Sequence, residues 1–486
     1  MFSILHISDL HRSPDDPVDN DTLLATLLAD RDRYLGETPV VPSPDAIVIT
    51  GDLIHGAPIS HPNWQKVIGE QYNVAEDFLD HLTRRFLAGD RSRLIIIPGN
   101  HDVCWNTSFT SMVKLLETEY PSDVWHALIK PDSIYRWSWA ERALYQIRDT
   151  ALYNSRMNAY WDFVENFYAK VSLLRPLDRR RGFQLFELHD RQIVLAAFDS
   201  ISSNDCFSYS GAIPRGAVAQ CALALRDIPH TYDLRIAAWH HSISGPPKRD
   251  DYMDNRQVRE MVGLNFQLGM HGHQHVADAA THYVHVSAKL AMAVVCAGSL
   301  CAGNRELPRG VNRQYNLVVI EDDLRRARVH VREIGEGEQF SRKNNGTFSQ
   351  GFVEVEWKAS TDIMGREIKA NEQNSMRVIL KAEEALHASN PRKAIELLEG
   401  IELSQGSYAR KILIQAALTL EDWPLLVSTI TQPQSIEEAV LLVSALIRTN
   451  ALTEATAMLS SNQDIDATTR KDLEEQIETN KMMRCE

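Results

Sequence analysis

The sequence predicts an α/β fold followed by an all-helical C-terminal region, and three features carry that expectation. Short apolar runs alternate with helical spacing over residues 1–102, an aromatic-rich stretch interrupts the pattern after Val103, and helical periodicity continues from Ser375 to the end. In order, Phe2–Ser8 reads as an apolar strand, Thr22–Leu28 as a helix and Asp45–Thr50 as a second strand, which makes a crossover unit. Trp64–Leu87 reads as a long helix stopped near Gly89, and Leu94–Ile97 as a third strand running into Pro98 and Gly99. Further strands are expected at Ile193–Phe198, Leu234–Trp239, Phe266–Met270, Val294–Ala297, Leu317–Ile320 and Arg328–Ile334. Continuously apolar strands joined by helices imply a sheet buried on both faces, and their number fits a β-sandwich flanked by helices.

Residues 103–181 read as a helical insertion into a domain spanning 1–340. The insertion carries Trp105, Trp125, Trp137, Trp139 and Trp161, five of the nine tryptophans in the chain. These aromatics are either the core of a helical subdomain or, in part, a lid and a stacking surface for a nucleobase. Arg179, Arg180 and Arg181 read as a solvated surface run with a smaller claim on a phosphate. Residues 341–374, with Asn344, Asn345 and Gly346, read as a linker, and 375–486 as a helical domain. There, three helix beginnings at Asn390–Leu398, Glu421–Val427 and Asn450–Leu459 recur at regular spacing, as stacked helical hairpins do.

A chain of 486 residues is about three times the usual domain length. A hydrophobic fraction of 44% with 24% charged residues excludes wholesale disorder and fibrous architectures. Six cysteines without CxxC spacing argue against a disulfide framework and a thiolate zinc site, and point to a reducing, cytoplasmic setting. The N-terminal segment lacks a basic region followed by a long apolar run, and no stretch is apolar enough to span a membrane, so neither secretion nor a membrane role is expected. A net charge of -14 disfavours a free-standing protein that wraps a phosphate backbone. It leaves a nuclease open, because metal sites gather carboxylates and a partner subunit could supply basic surface.

The chemistry is concentrated just after strand ends. Asp9-x-His11 follows the first strand, Gly51-Asp52 the second, and Gly99-Asn100-His101-Asp102 the third. His240-His241 and Gly272-His273-Gln274-His275 follow later strands. Ligands of open α/β sheets bind beyond the carboxyl ends of strands, so five distant loops would build one pocket. Residues two apart on an extended segment point the same way, which lets Asp9 with His11, and His273 with His275, address that pocket together. Carboxylate, imidazole and amide oxygen donors without cysteine suit manganese, iron or zinc, with manganese the first choice. One aspartate can bridge two ions, and such a pair can hold a bridging hydroxide and stabilise an in-line displacement at phosphorus.

The order Asp-x-His, Gly-Asp, Gly-Asn-His-Asp, His, Gly-His-x-His resembles that of the calcineurin-like metallophosphoesterases over residues 1 to 335. ILHISDLH and Phe198-Asp199-Ser200 with Gly211 are similar to the branch containing class III cyclic nucleotide phosphodiesterases, and a repair-exonuclease branch shares the same core motifs. The resemblance implies that Asp9, His11 and His275 hold one ion, that Asn100, His240 and His273 hold the other, and that Asp52 bridges them. It also implies that His101 is not a ligand and assists the leaving oxygen. Asp102 would either orient that ring or cap its loop. His241 is left as a substitute for His240 or as a phosphate contact. Arg12 is either a substrate contact or a surface arginine, Gly298-Ser299 a turn, and His271 a structural neighbour of the ligands. The C-terminal helices resemble a degenerate tetratricopeptide array of three units lacking most landmark residues.

The expected activity is hydrolysis of a phosphodiester in a nucleotide or nucleic acid by a dinuclear centre, with a metal-bridging hydroxide as nucleophile. The alternatives are a nuclease subunit acting with a partner ATPase, a phosphoprotein phosphatase, and a helical-repeat adaptor on an inactive esterase scaffold. Complete ligand loops argue against the adaptor. The C-terminal helices would offer a surface to a protein partner.

Overall fold

The computed structural model describes residues 1–130, 132–243, 251–283, 291–302, 307–308, 311–335, 337–344, 348, 350–357, 378–379, 381–383, 385–386, 390–399, 408–433, 436–462, 465 and 467–482. The chain divides into two compact units, one of residues 1–283 and 290–363 and one of 284–289 and 364–486.

The first unit is a mixed α/β structure built on two large sheets. Strands β1 (Phe2–Ile7), β2 (Ala46–Thr50) and β3 (Leu94–Ile97) are parallel and fully buried, as their unbroken apolar runs require. A small insertion sheet follows with β4 (Met112–Lys114), β5 (Tyr135–Ser138) and β6 (Ala143–Ile147). Then come β7 (Phe183–Leu188), β8 (Ile193–Phe198), β9 (Leu234–Ala238), β10 (Leu268–His271), β11 (Asp278–Tyr283) and β12 (Ala291–Cys296). The last four are β13 (Gln314–Ile320), β14 (Arg326–Ile334), β15 (Phe340–Arg342) and β16 (Val353–Glu356).

One sheet has the order β15-β14-β13-β1-β2-β3, with β16 on β14, and the other the order β11-β12-β10-β9-β8-β7. Ile4, Ile47 and Ile49 from the first sheet share a core with Leu195, Ile236, Met270 and Val295 from the second. The outer face of the first sheet is covered by α1 (Asn20–Arg31) through Leu23, Leu24 and Leu27, and by α2 (Trp64–Phe86) through Phe78, Leu79 and Leu82. The helix α1 starts where Asp19 accepts from the Thr22 backbone N–H, a standard N-cap.

At the edge of this layer Arg332 of β14 grips both oxygens of Asp30 and also Glu37. Asp30 also accepts from Tyr315 and Arg33, so the buried charges are paired on all sides.

The insertion departs from the helical expectation. It carries α3 (Trp105–Thr110), α4 (Val124–Ile129), α5 (Thr150–Asn154) and α6 (Asn158–Phe167), but also the antiparallel sheet β4-β6-β5. Tyr145 of that sheet packs with Phe109 and Phe207, and this cross-element packing decides strand over helix where periodicity is ambiguous. Strand β7 was also not anticipated, because its buried positions Phe183, Leu185, Phe186 and Leu188 do not alternate. Two further helices, α7 (Ala217–Arg226) and α8 (Asn255–Gly263), complete the unit.

In the second unit the described helices are α9 (Pro391–Leu398), α10 (Tyr408–Thr419), α11 (Trp423–Thr429), α12 (Ile436–Arg448), α13 (Leu452–Ser461) and α14 (Ala467–Met482). The expected helix start at Ser375, and Asn345 and Gly346 of the expected linker, lie outside the described residues. Among the described residues no helix is long and apolar enough to cross a membrane.

Candidate dinuclear metal centre

The loops after β1, β2, β3, β9 and β10 bring Asp9, His11, Asp52, Asn100, His240, His273 and His275 together at the carboxyl ends of both sheets. Five of these seven, Asp9, His11, Asp52, His273 and His275, have φ between 45° and 74°. Side chains rarely adopt that region, and each such residue costs about 1–3 kcal/mol. The strain is held by hydrogen bonds between the loops: Asp9 N–H to Gly51 O at 3.1 Å, His11 N–H to Asp52 O at 2.9 Å and Gly272 N–H to His240 O at 3.0 Å.

Two glycines are required for close approach. A Cβ on Gly99 would fall inside the Asp52 carboxylate, and one on Gly272 would fall inside the Ser8 side chain and 2.8 Å from Asp9 Oδ2.

The donor atoms form two nests with a common corner. In one, His275 Nε2 lies 3.3 Å from Asp9 Oδ1 and 3.4 Å from His11 Nε2, and His11 Nε2 lies 3.8 Å from Asp52 Oδ2. In the other, Asn100 Oδ1 lies 2.9 Å from His240 Nε2 and 3.0 Å from His273 Nδ1, and His240 Nε2 lies 3.4 Å from the same Asp52 Oδ2. The opposite atoms of these groups are tied back. Asp52 Oδ1 accepts from His101 N–H at 2.8 Å, Asp9 Oδ2 from His273 N–H at 3.1 Å, and His240 Nδ1 donates to Thr50 O at 2.7 Å. The His240 bond fixes the ring so that Nε2 is the nitrogen turned toward Asn100.

Buried Asp9 Oδ1 is paired with the His275 ring and, among the described residues, accepts no other hydrogen bond. Burial opposes its ionisation, yet His275 holds the Asp9 carboxyl below the ordinary range. Asp52 behaves alike: burial raises it, and His240 and His101 pull it well below. Burial works against a charge on His240, but Asp52 and Asp9 draw its proton affinity up to about 9. A nest of two buried carboxylates facing imidazole and amide donors therefore calls for positive charge at its centre, and divalent cations fit its donor set.

The remaining expected site residues separate. His101 is half-buried beside the nests, its ring 4.6 Å from that of His11, and its Nδ1 donates to His55 O at 2.9 Å. Asp102 does not orient that ring. Its oxygens accept from Gly99 N–H at 2.8 Å, Leu53 N–H at 3.3 Å and the Tyr72 hydroxyl at 3.2 Å, which makes it the cap of the loop. Burial and the charge of Asp52 push its carboxyl up to about 7.

His241 is buried beside His240. Its Nε2 donates to Tyr209 O at 3.1 Å and its Nδ1 faces Ser200 Oγ at 3.0 Å, so both ring nitrogens are engaged. Arg12 is not a surface arginine: it is 1% exposed, paired with Asp16 at 3.0 Å and bonded to Val18 O. Gly298-Ser299 is more than a turn, because Ser299 Oγ donates to the Asp9 carbonyl at 2.7 Å and fixes the start of the first ligand loop. His271 stacks on Trp239 behind the site.

Sequence reasoning missed His55. It is exposed, stacks on His101 at 6.0 Å, and lies with His11 and His101 in a third group whose donor atoms are within 4.8 Å of one another. Its signal was its place in the Asp52 loop, three residues on.

The calcineurin-like phosphoesterase family matches residues 2–277. No curated protein matches the chain. Similar solved structures include a dimetal phosphatase from Danio rerio, 11% identical, covering 68% of this chain and 96% of that one with a TM-score of 0.36. Another is the calcineurin-like phosphoesterase YfkN from Bacillus subtilis, 11% identical, covering 70% and 87% with a TM-score of 0.29. A third is Vps29 from Entamoeba histolytica in complex with zinc, 8% identical, covering 73% and 99% with a TM-score of 0.24. With more than half of its length matched and the family's metal-binding loops assembled at one point, the chain belongs to the calcineurin-like phosphoesterases and is a metal-dependent hydrolase of phosphoesters.

Proposed function

We propose that the protein hydrolyses a phosphodiester in a nucleotide or nucleic acid, with Asp9, His11 and His275 holding one divalent ion, Asn100, His240 and His273 a second, and Asp52 shared between them. The observation that carries this reading is the common corner. Asp52 Oδ2 closes both donor nests while its other oxygen is fixed by the His101 backbone. Two ions bound there would polarise the phosphoryl oxygens and lower the pKa of an attacking water.

The chain's own residues do the rest. Asn100, His240 and His273 present donors already oriented by Thr50 and by one another, so little ordering is needed on binding. His101, with Nδ1 committed to the His55 carbonyl, can carry its second proton at Nε2 and deliver it to the departing oxygen. Manganese is the metal we assign first, with iron or zinc served by the same donors. The branch similar to class III cyclic nucleotide phosphodiesterases supports a diester, and the nuclease with a partner ATPase is the second reading.

The C-terminal unit is read as a tetratricopeptide-like array that docks a protein partner. Each of its described helices packs on the next in chain order, from α9 through α14, as stacked repeats do, and α12 also meets α14. The test of the activity is turnover of bis-p-nitrophenyl phosphate against p-nitrophenyl phosphate with and without Mn²⁺, beside cyclic nucleotides and single- and double-stranded DNA and RNA. Cleavage of monoesters alone would overturn the diesterase reading, and degradation of polymers would favour the nuclease.

A further inference from the structure

We infer that Trp105 and Tyr209 form a stacking subsite for one nucleobase, immediately beside the phosphoryl site. The inference rests on the diesterase reading and specifies which substrates it favours. The Trp105 ring lies 5.8 Å from the ring of His101, tilted by 39°, and 5.7 Å from that of Tyr209, edge-on at 63°, so both aromatics cluster with the group placed at the leaving oxygen.

Both rings are held in place before any ligand arrives. Trp105 opens α3 and packs against two hydrophobic clusters, the main core and that of the insertion sheet. Tyr209 is 42% exposed, yet its hydroxyl donates to Cys206 O at 3.0 Å and its carbonyl accepts from His241 Nε2. That second bond ties the loop to the residue next to His240, so the shelf and the donor nest share one frame. A rigid aromatic face, part of it open to solvent, is what base stacking requires, and it tolerates any base because every base has a π-face.

The same loop argues for a single nucleotide over a polymer. Arg136 is spent on Asp205 and Tyr153, and Arg156 on the carbonyls of Asn204, Ser202 and Tyr153, so the cations that brace the loop are committed inward. A strand of nucleic acid draws its affinity from Lys and Arg on its phosphates, and among the described residues these two arginines offer it none.

The experiment uses the full chain loaded with Mn²⁺. Turnover of adenosine 5′-(methyl phosphate) is compared with that of ribose 5-(methyl phosphate), which presents the same kinds of alkyl leaving oxygen to His101 and has no base and no other aromatic group. Calorimetry compares AMP with ribose 5-phosphate. The nucleoside ester should be preferred roughly tenfold or more in kcat/KM, the size of one base stack, and Tyr209→Ala should bring that ratio close to one. AMP should bind more tightly than ribose 5-phosphate in the native chain and equally in the variant. Trp105→Leu is the second variant, should Tyr209→Ala not fold. Hydrolysis of both esters at equal efficiency, or a preference that survives both substitutions, overturns the subsite and leaves the diesterase reading standing. Silence on both esters overturns the diesterase reading, and calorimetry then still decides the subsite: equal binding of AMP and ribose 5-phosphate overturns it.

Discussion

Replacing His101 by alanine separates the two roles its position allows, leaving-group acid and metal ligand. In the structure the His101 backbone N–H, which alanine keeps, holds Asp52 Oδ1 at 2.8 Å, so the shared corner of the nests survives the change. What is lost is the ring, tethered at Nδ1 to His55 O and offering Nε2. A positioned acid contributes typically 10²–10⁴-fold, and its loss falls on the transition state, so kcat and kcat/KM should drop together by about that factor for a diester with an alkyl leaving group. For bis-p-nitrophenyl phosphate the leaving anion needs little protonation, and the loss should be under about tenfold. Metal content, read by elemental analysis of the purified variant, should match the native chain. Equal losses on the two substrates, or loss of an ion, would refute the reasoning and make His101 a ligand with His11 and His55.

The remaining predictions concern the frame around the site. Asp102→Ala removes the acceptor for Gly99 N–H, Leu53 N–H and the Tyr72 hydroxyl, and should cost about 2–4 kcal/mol in urea unfolding, from buried donors left unpaired. Asp30→Ala leaves Arg332, 1% exposed, with Glu37 as its one carboxylate partner among the described residues, and should cost about 3–5 kcal/mol, while Asp30→Ala with Arg332→Met should recover much of the loss. His330 is buried in β14 with no hydrogen-bond partner at either ring nitrogen among the described residues, and burial together with Arg328, Arg332 and Arg342 lowers its pKa from 6.5 to about 3. The folded chain therefore binds fewer protons there, and stability should fall as pH drops from about 6.5 toward 3, by at most about 1.4 kcal/mol per pH unit. His330→Phe should flatten that slope in denaturant titrations at several pH values.

Much of the site was legible because its chemistry sits at fixed points of the fold. Asp9, Asp52, Asn100, His240 and His273 each follow a short apolar run, and buried parallel strands are the elements such runs specify most directly. What was not legible depends on contacts that only the folded chain creates. Arg12 reads as surface until Asp16, Val18 and the Phe78 ring enclose it. His241 reads as a spare ligand until Ser200 and Tyr209 take its ring nitrogens. Asp102 could orient His101 or cap its loop, and only the fold shows Leu53 and Tyr72 at its oxygens. The insertion strands are three to five residues long, too short for their period to compete with helical spacing, and their pairing is decided by tertiary packing.

The most direct test of the shared Asp52 corner is the metal content of the native chain and of Asp52→Asn after saturation with Mn²⁺ and removal of free ion, measured with the rate on bis-p-nitrophenyl phosphate. The account predicts two ions per native chain, fewer than two in the variant, and loss of most activity with them. Two retained ions and an unchanged rate in Asp52→Asn would contradict it.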